Sequence, residues 1–382
     1  MEYSFPTPDK TLYQEISNSL IQWYACNKRN LPWRSTDAWG IWVSEIMLQQ
    51  TRVSTVIPFY LKFMQRFPNL QQFAEAPIEE VLKYWAGLGY YARVRNLHRA
   101  AIQVMQQHNG IVPMQMKQLL ALPGIGRYTA GAILSLAGNI PAPLVDANVT
   151  RILCRLFGFK GDPAASAAQK TLWLTAEYML PAQKCAEHNQ ALMELGEVIC
   201  TPFDPKCSRC PLCSRCYAAA TPCPESLPES APGKQKVSQV HACVIVEGNP
   251  GCYFMVQRPL HGLWGGLWEF PRVLCHPDET WQEAARRAAH ELLGIHVHTV
   301  KKITTIKHMV THHNITLHAC LASSVEATQV CSQGEQIAIA QWPHYACSAP
   351  QSLVRQAFAK MQAHPSAQHI LPLEEISFRE NL

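Results

Sequence analysis

Residues 119–146 read LLALPGIGRYTAGAILSLAGNIPAPLVD, and this stretch decides the fold class. Pro123 stops a short helix, and Gly124 and Gly126 then permit backbone angles that residues with a Cβ resist. A second helix is predicted from near Tyr128 through Ala130, Ile133, Leu134 and Leu136, closed by Gly138. Amides at such a hairpin point outward from a helix start and make a seat for an anion. Asp146 follows Pro141 and Pro143, about twenty residues beyond that seat, a placement that points to chemistry on a nucleotide.

Outward from the hairpin, residues 10–200 read as mostly helical. Leu12, Ile16, Leu20 and Trp23 fall on one face, and apolar sets at 53–67 and 97–105 keep the same spacing. Residues 218–236 carry Pro222, Pro224, Pro228 and Pro232 among Ser, Ala, Gly and Lys, a linker composition. Beyond it, HACVIVE (241–247) and GCYFMVQR (251–258) flank a Gly-Asn-Pro-Gly turn and read as a hairpin or two adjacent strands. A helix is predicted at Trp281–Leu293, with further strands near Val300–His308 and Ile315–Ala322. The expected organisation is an all-α domain at 1–226, a Pro-rich interdomain linker at 219–237, and an α+β domain at 238–382.

A chain of 382 residues has room for two or three domains with real cores. No apolar run approaches the roughly 20 residues of a membrane span, and MEYSFPTPDK has neither a basic n-region nor an apolar h-region. A cytoplasmic protein without membrane contact is expected, so the 15 cysteines read as reduced thiols or metal ligands. Residues 1–226 carry 21 Lys and Arg against 16 Asp and Glu, whereas the remainder is balanced. A basic N-terminal part fits a polyanionic partner.

Cys200, Cys207, Cys210 and Cys216 are spaced C-x6-C-x2-C-x5-C. Four thiolates so close in sequence suit a tetrahedral zinc or a cubane iron–sulfur cluster, and with one C-x2-C pair among them, Cys207 and Cys210, iron–sulfur is favoured over a zinc ribbon. Cys213 lies between them as a fifth thiol that spacing alone admits as a substitute, and Lys206, Arg209 and Arg215 make the loop basic.

The hairpin followed by this cysteine spacing resembles the helix-hairpin-helix DNA glycosylases related to endonuclease III, and within them the MutY-type adenine DNA glycosylases. The motifs that carry the resemblance run in order along nearly the whole chain: LPWR (31–34), WVSEIMLQQTRV (42–53), GLGYYARVRNLH (87–98), LPGIGRYTAGAI (122–133), VDANVTRI (145–152), NQALMELG (189–196), the four cysteines, and GLWGGLWEFP (262–271). The resemblance implies a multi-domain protein. A six-helix lobe lies near 28–138, an iron–sulfur lobe combines the N-terminus with about 139–226, and a Nudix-like domain follows. It also implies one 4Fe-4S cluster on Cys200, Cys207, Cys210 and Cys216. The partner would be double-stranded DNA holding adenine opposite 8-oxoguanine or guanine, engaged by a monomer.

Glu45 lies in a helical segment beside Trp42 and Leu48, where lost solvation raises a carboxyl pKa and keeps a proton available. Read from spacing alone, the same carboxylate can be satisfied by Gln49 or Arg52. In the family the matching glutamate is the acid that protonates the leaving base, and Asp146 matches the carboxylate that steadies the positive sugar. Asp146 also suits the N-cap of the next helix, whose start would hold it ionised, and Asn148 is expected to orient it or a water. Tyr128 stands where the strand-cutting relatives carry a lysine, so a monofunctional enzyme is implied.

By the same resemblance, Arg29, Leu31, Trp33, Arg34, Gln190 and Met193 match the adenine pocket. Leu48, Gln50, Thr51, Leu88, Gly89 and Tyr90 match residues that contact or wedge into DNA around the oxidised guanine, and Gly124 and Gly126 present amides to the backbone. In the C-terminal domain, the Nudix-box helix reads Arg287-Ala288-Ala289-His290-Glu291-Leu292-Leu293-Gly294-Ile295. Ala288 and Leu292 replace two of three metal carboxylates, which argues against a nucleotide pyrophosphohydrolase. The family's 8-oxoguanine-reading turn matches Val310, Thr311 and His312, with the expected aromatic ring replaced by Val310. His308 and His313 read as surface histidines rather than a metal site. Rival readings are a glycosylase of the same scaffold for another mismatched base, and a non-enzymatic damage-sensing DNA-binding protein.

Overall fold

The structure is a computed structural model that describes residues 9–34, 36–229, 236–260, 262–310, 312–327, 334–363 and 375–379. Thr311, one of the residues matched to damage recognition, lies outside them. The chain divides into two units: Met1–Gln49, Val56–Glu75 and Asn96–Gly233 form the first, and Gln50–Thr55, Ala76–Arg95 and Lys234–Leu382 the second.

The first unit is helical. Lys10–Asn27 starts on Asp9, whose carboxylate accepts the amides of Thr11 and Leu12. Its Tyr13, Ile16, Leu20 and Tyr24 pack with residues of Ala147–Phe157, Ser166–Met179 and Cys185–Val198 in one core. Ala38–Leu48 buries Trp39 through Met47 without a break, so it is surrounded on all sides rather than amphipathic. It ends at Leu48, and Gln50 turns the chain with φ 57°. Arg52 therefore leaves the helical face on which spacing had set it beside Glu45.

The hairpin forms between Met116–Leu120 and Arg127–Ala132, and the second helix continues as a wider π turn over Ile133–Ala137. Gly124 needs its freedom, with φ 77°. Gly126 does not: its φ of −96° is open to any residue, so the expectation of a special angle there is corrected. Gly131 is needed for close approach, since a Cβ there would stand 2.3 Å from the carbonyl oxygen of Pro143. That contact lays the Pro143–Asp146 segment directly on the hairpin helix.

The second unit holds two sheets. A five-stranded sheet runs Arg272–Leu274, Val237–Ile245, His313–Ala327, Ile295–Val310, Glu375–Arg379, with Val237–Ile245 parallel to His313–Ala327. A three-stranded sheet runs Trp268–Glu269, Cys252–Gln257, Gly334–Ala338. The expected hairpin of HACVIVE and GCYFMVQR survives only as a bridge between Glu247 and Tyr253, after which each strand joins a different sheet. The helix Trp281–Leu293 opens with a reciprocal Thr280–Glu283 cap and closes on left-handed Gly294. Its Ala288 and Ala289 are fully buried in the core, and Leu292 packs against that core. His308 is 4% exposed, so the surface reading is corrected. Burial and Arg272 push its imidazole down to about 4.

Candidate active site

Two helices and the loop that ends at Asp146, all in the first unit, carry the candidate chemistry. Glu45 is 3% exposed in the Ala38–Leu48 helix. Tyr128, on the first turn of the hairpin helix, donates its hydroxyl to Glu45 Oε2 at 2.7 Å. Neither Gln49 nor Arg52 is the partner that spacing had offered. Burial raises the Glu45 carboxyl to about 7; the Tyr128 hydroxyl opposes the rise, and the charge of Asp146 adds to it. The charge of Asp146 is felt at both Glu45 and Tyr128. A group so tuned keeps its proton at neutral pH and can release it.

Asp146 caps the Ala147–Phe157 helix, accepting the Val149 amide at 2.7 Å. A helix start was expected to hold this carboxylate low. Burial outweighs it: the pKa is raised, against the lowering effects of the Val149 amide, Arg151 and the Asn148 amide. Asn148 thus touches Asp146 through its backbone, while its side-chain oxygen accepts Arg151 Nη2 at 2.8 Å. Burial raises both carboxyls, but only at Asp146 do cap amides and a guanidinium work against the rise.

Arg151 escaped the sequence reading. Besides Asn148, its guanidinium reaches the Cys200 carbonyl at 2.8 Å and the Gly196 carbonyl at 2.8 Å. One turn on, buried Arg155 donates to the carbonyls of Leu227 at 2.8 Å, Thr201 at 2.7 Å and Pro202 at 2.9 Å, and to Cys200 Sγ at 3.4 Å. The helix that Asp146 starts is thereby tied to the cysteine loop. The signal was the i, i+4 arginine pair in RILCR, which spacing alone reads as a solvated face.

Of the matched pocket residues, Arg29 Nε lies 2.6 Å from Glu194 Oε1, and Arg34 pairs with the other carboxylate oxygen. Tyr24 joins Arg34 to Gln190 through its hydroxyl. Burial lifts the Glu194 pKa, but the two arginines bring it below its ordinary value overall. Glu194 and Tyr24 were missed, although Glu194 lies one turn from Gln190 on NQALMELG. Leu31 and Trp33 are buried, with Trp33 edge-on to Tyr60 at 5.3 Å, and Met193 packs on the core.

Gln50, Thr51, Leu88, Gly89 and Tyr90 belong to the second unit. Gln50 and Tyr90 both hold positive φ, 57° and 49°, a strained backbone for residues with side chains. Arg93 organises them: its Nη2 lies 3.4 Å from Thr51 Oγ1, 3.3 Å from the Leu88 carbonyl and 3.4 Å from the Gly89 carbonyl, and its guanidinium lies 5.1 Å from the Tyr90 ring. Leu48 is half-buried, and nothing lies within 4 Å of a Cβ built on Gly126. The His312 and His313 rings lie 4.1 Å apart, tilted by 39°, and His313 pairs with buried Val310.

Cys200, Cys207, Cys210, Cys213 and Cys216 all line one recess that opens to solvent. Among the described residues, no three Cys, His, Asp or Glu side chains stand close enough for a single ion. Bonds of about 2.3 Å around one zinc demand tightly gathered sulfurs, whereas a cubane accepts thiolates spread around its corners. Burial pushes the Cys210 thiol up to about 12, a cost that metal ligation reverses by deprotonating it. Five thiols on one recess fit a group that binds through thiolates.

Residues 43–177 match the HhH-GPD superfamily of base excision DNA repair proteins, and residues 241–357 match the NUDIX domain. The chain is 37% identical to the adenine DNA glycosylase of Homo sapiens over 353 residues, 76% of this chain and 64% of that protein. It is 35% identical to that of Buchnera aphidicola subsp. Acyrthosiphon pisum over 259 residues, 67% of this chain and 74% of that protein. A thermostable thymine-DNA glycosylase structure aligns at a TM-score of 0.49 and 32% identity, covering 55% of this chain and 98% of that one. The chain spans less than two thirds of the length of the mammalian and plant relatives it matches. The hairpin, the sheet-bearing second unit and these two matches define a helix-hairpin-helix base excision repair protein with a Nudix-type domain. The chain belongs to the adenine DNA glycosylase family. No described helix is long and apolar enough to cross a membrane.

Proposed function

We propose that this chain hydrolyses the N-glycosidic bond of adenine opposite 8-oxoguanine or guanine in duplex DNA, leaving an abasic site. The observation that carries the reading is the buried Glu45 carboxyl, raised to about 7 beside Tyr128 and Asp146. Glu45 gives its proton to a ring nitrogen of the extruded adenine, and the base leaves with the electron pair of the glycosidic bond. Asp146, ionised, stabilises the positive sugar until water adds to the same carbon, and the water's spare proton returns to the carboxylates. Tyr128 offers no amine, so no Schiff base forms and the strand stays whole.

Gly124 and Gly126 present amides to the DNA backbone, and Gln50 and Tyr90 wedge into the duplex with Leu48, Thr51, Leu88 and Gly89 around them. The Arg29–Glu194–Arg34 network shapes the adenine pocket with Leu31, Trp33, Gln190 and Met193. Thr311 and His312 read the oxidised guanine. Cys200, Cys207, Cys210 and Cys216 hold one 4Fe-4S cluster, which supplies a structural centre for the loop bonded to Arg151 and Arg155. A labelled duplex with one adenine:8-oxoguanine pair tests the reading. Breaks only after hot alkali support it; breaks without alkali mean a lyase, and none at all leaves a binding protein.

A further inference from the structure

The cysteine loop repeats itself. Cys207-Ser208-Arg209-Cys210 is followed, after Pro211 and Leu212, by Cys213-Ser214-Arg215-Cys216. Both copies fold alike: each makes one tight turn, Cys207–Arg209 and Cys213–Arg215. Each closes by the same bond, from the Cys210 amide to the Cys207 carbonyl at 3.0 Å and from the Cys216 amide to the Cys213 carbonyl at 3.2 Å. Cys213 therefore occupies in the second copy the place of Cys207 in the first. Both line the same recess as the other three cysteines. Four thiolates complete a cubane, so this recess carries one more than the cluster needs.

We propose that Cys213 is a reserve ligand that replaces Cys207 at the metal centre when the Cys207 thiolate is lost. The proposal rests on the iron–sulfur reading of the recess. One thiolate takes another's place: Cys213 releases a proton to solvent, Cys207 takes one up, and no electron moves.

The test measures bound iron, acid-labile sulfide and absorbance near about 400 nm in full-length chains. Cys213→Ser should match the wild type. Cys207→Ser should keep about half or more of the wild-type iron, while Cys210→Ser and the Cys207→Ser/Cys213→Ser pair keep less than about a tenth. A Cys207→Ser chain as empty as Cys210→Ser overturns the proposal, as does a double variant with as much iron as Cys207→Ser. Because losing Cys207 can unfold the loop, a second measurement keeps all four cluster cysteines. Under EDTA, Cys213→Ser should lose its absorbance about threefold or more faster than the wild type, and equal rates overturn the proposal. A wild-type chain without iron overturns the cluster reading and this inference together, a result distinct from an iron-loaded wild type with an empty Cys207→Ser.

Discussion

The hydroxyl of Tyr128 meets Glu45 Oε2 at 2.7 Å across 83 residues of sequence, with Glu45 buried and Tyr128 half-buried. A tyrosine in that position donates to a carboxylate and so favours the ionised form, against the burial that favours the acid. The balance leaves Glu45 near 7, where an acid catalyst both holds and gives up its proton.

Replacing that acid separates chemistry from binding. Glu45→Gln should abolish excision and leave affinity for a damaged duplex within about tenfold of the wild type. Single-turnover excision and a binding titration check this, and equal loss of both would remove Glu45 from the role of acid.

The same group makes a pH statement with two signs to follow. Excision needs protonated Glu45, so the single-turnover rate should fall about tenfold per unit as pH rises beyond 7. For stability, the folded pKa of about 7 stands above the ordinary 4.5, so Glu45's contribution is intact below 4.5 and is lost as pH rises through 7. Glu45→Gln should therefore melt later than the wild type at pH above 7, by on the order of 3 kcal/mol, with the gap closing in acid. Thermal melts across that range provide the measurement.

Tyr128→Lys places an amine where the hydroxyl stood. Some strand nicking without alkali should appear, trapped as a protein–DNA adduct by borohydride. A variant that still folds and yields neither would mean that Tyr128 lies out of reach of the sugar.

Arg151→Met should cut the excision rate by about tenfold or more while bound iron stays within about twofold, because the lost bonds free the helix behind Asp146. Iron falling in step with the rate would make Arg151 a support of the cysteine loop alone.

Removing residues 238–382 should reduce the preference for 8-oxoguanine over guanine opposite adenine. Competition between the two duplexes measures it, and an unchanged preference argues against damage reading by the C-terminal domain.

What could be read from sequence was what local rules control. The Trp281–Leu293 helix announces itself by its Thr280–Glu283 cap and Gly294, and the hairpin by Pro123 and Gly124. Burial of Glu45 followed from an unbroken apolar helix around it. The raised pKa of Asp146 did not, because capping is local and burial depends on residues far along the chain. Arg151, Arg155 and Glu194 were likewise invisible: a buried ion looks like a surface ion until its partners, tens of residues away, are in place. His308 misled for the same reason, its ring lying 5.7 Å from that of Trp264, more than forty residues away in sequence.

The bond from Arg155 to the Leu227 carbonyl dictates where this polypeptide can be severed. The expected end of the all-α domain at residue 226 invites a cut after Ser226, inside the proline-rich stretch. Such a cut strips an acceptor from a guanidinium that is 2% exposed, and it also removes Glu229, whose carboxylate takes the Gly161 amide at 2.7 Å. A fragment ending beyond Glu229 keeps both attachments, and should outlast the shorter one in solution.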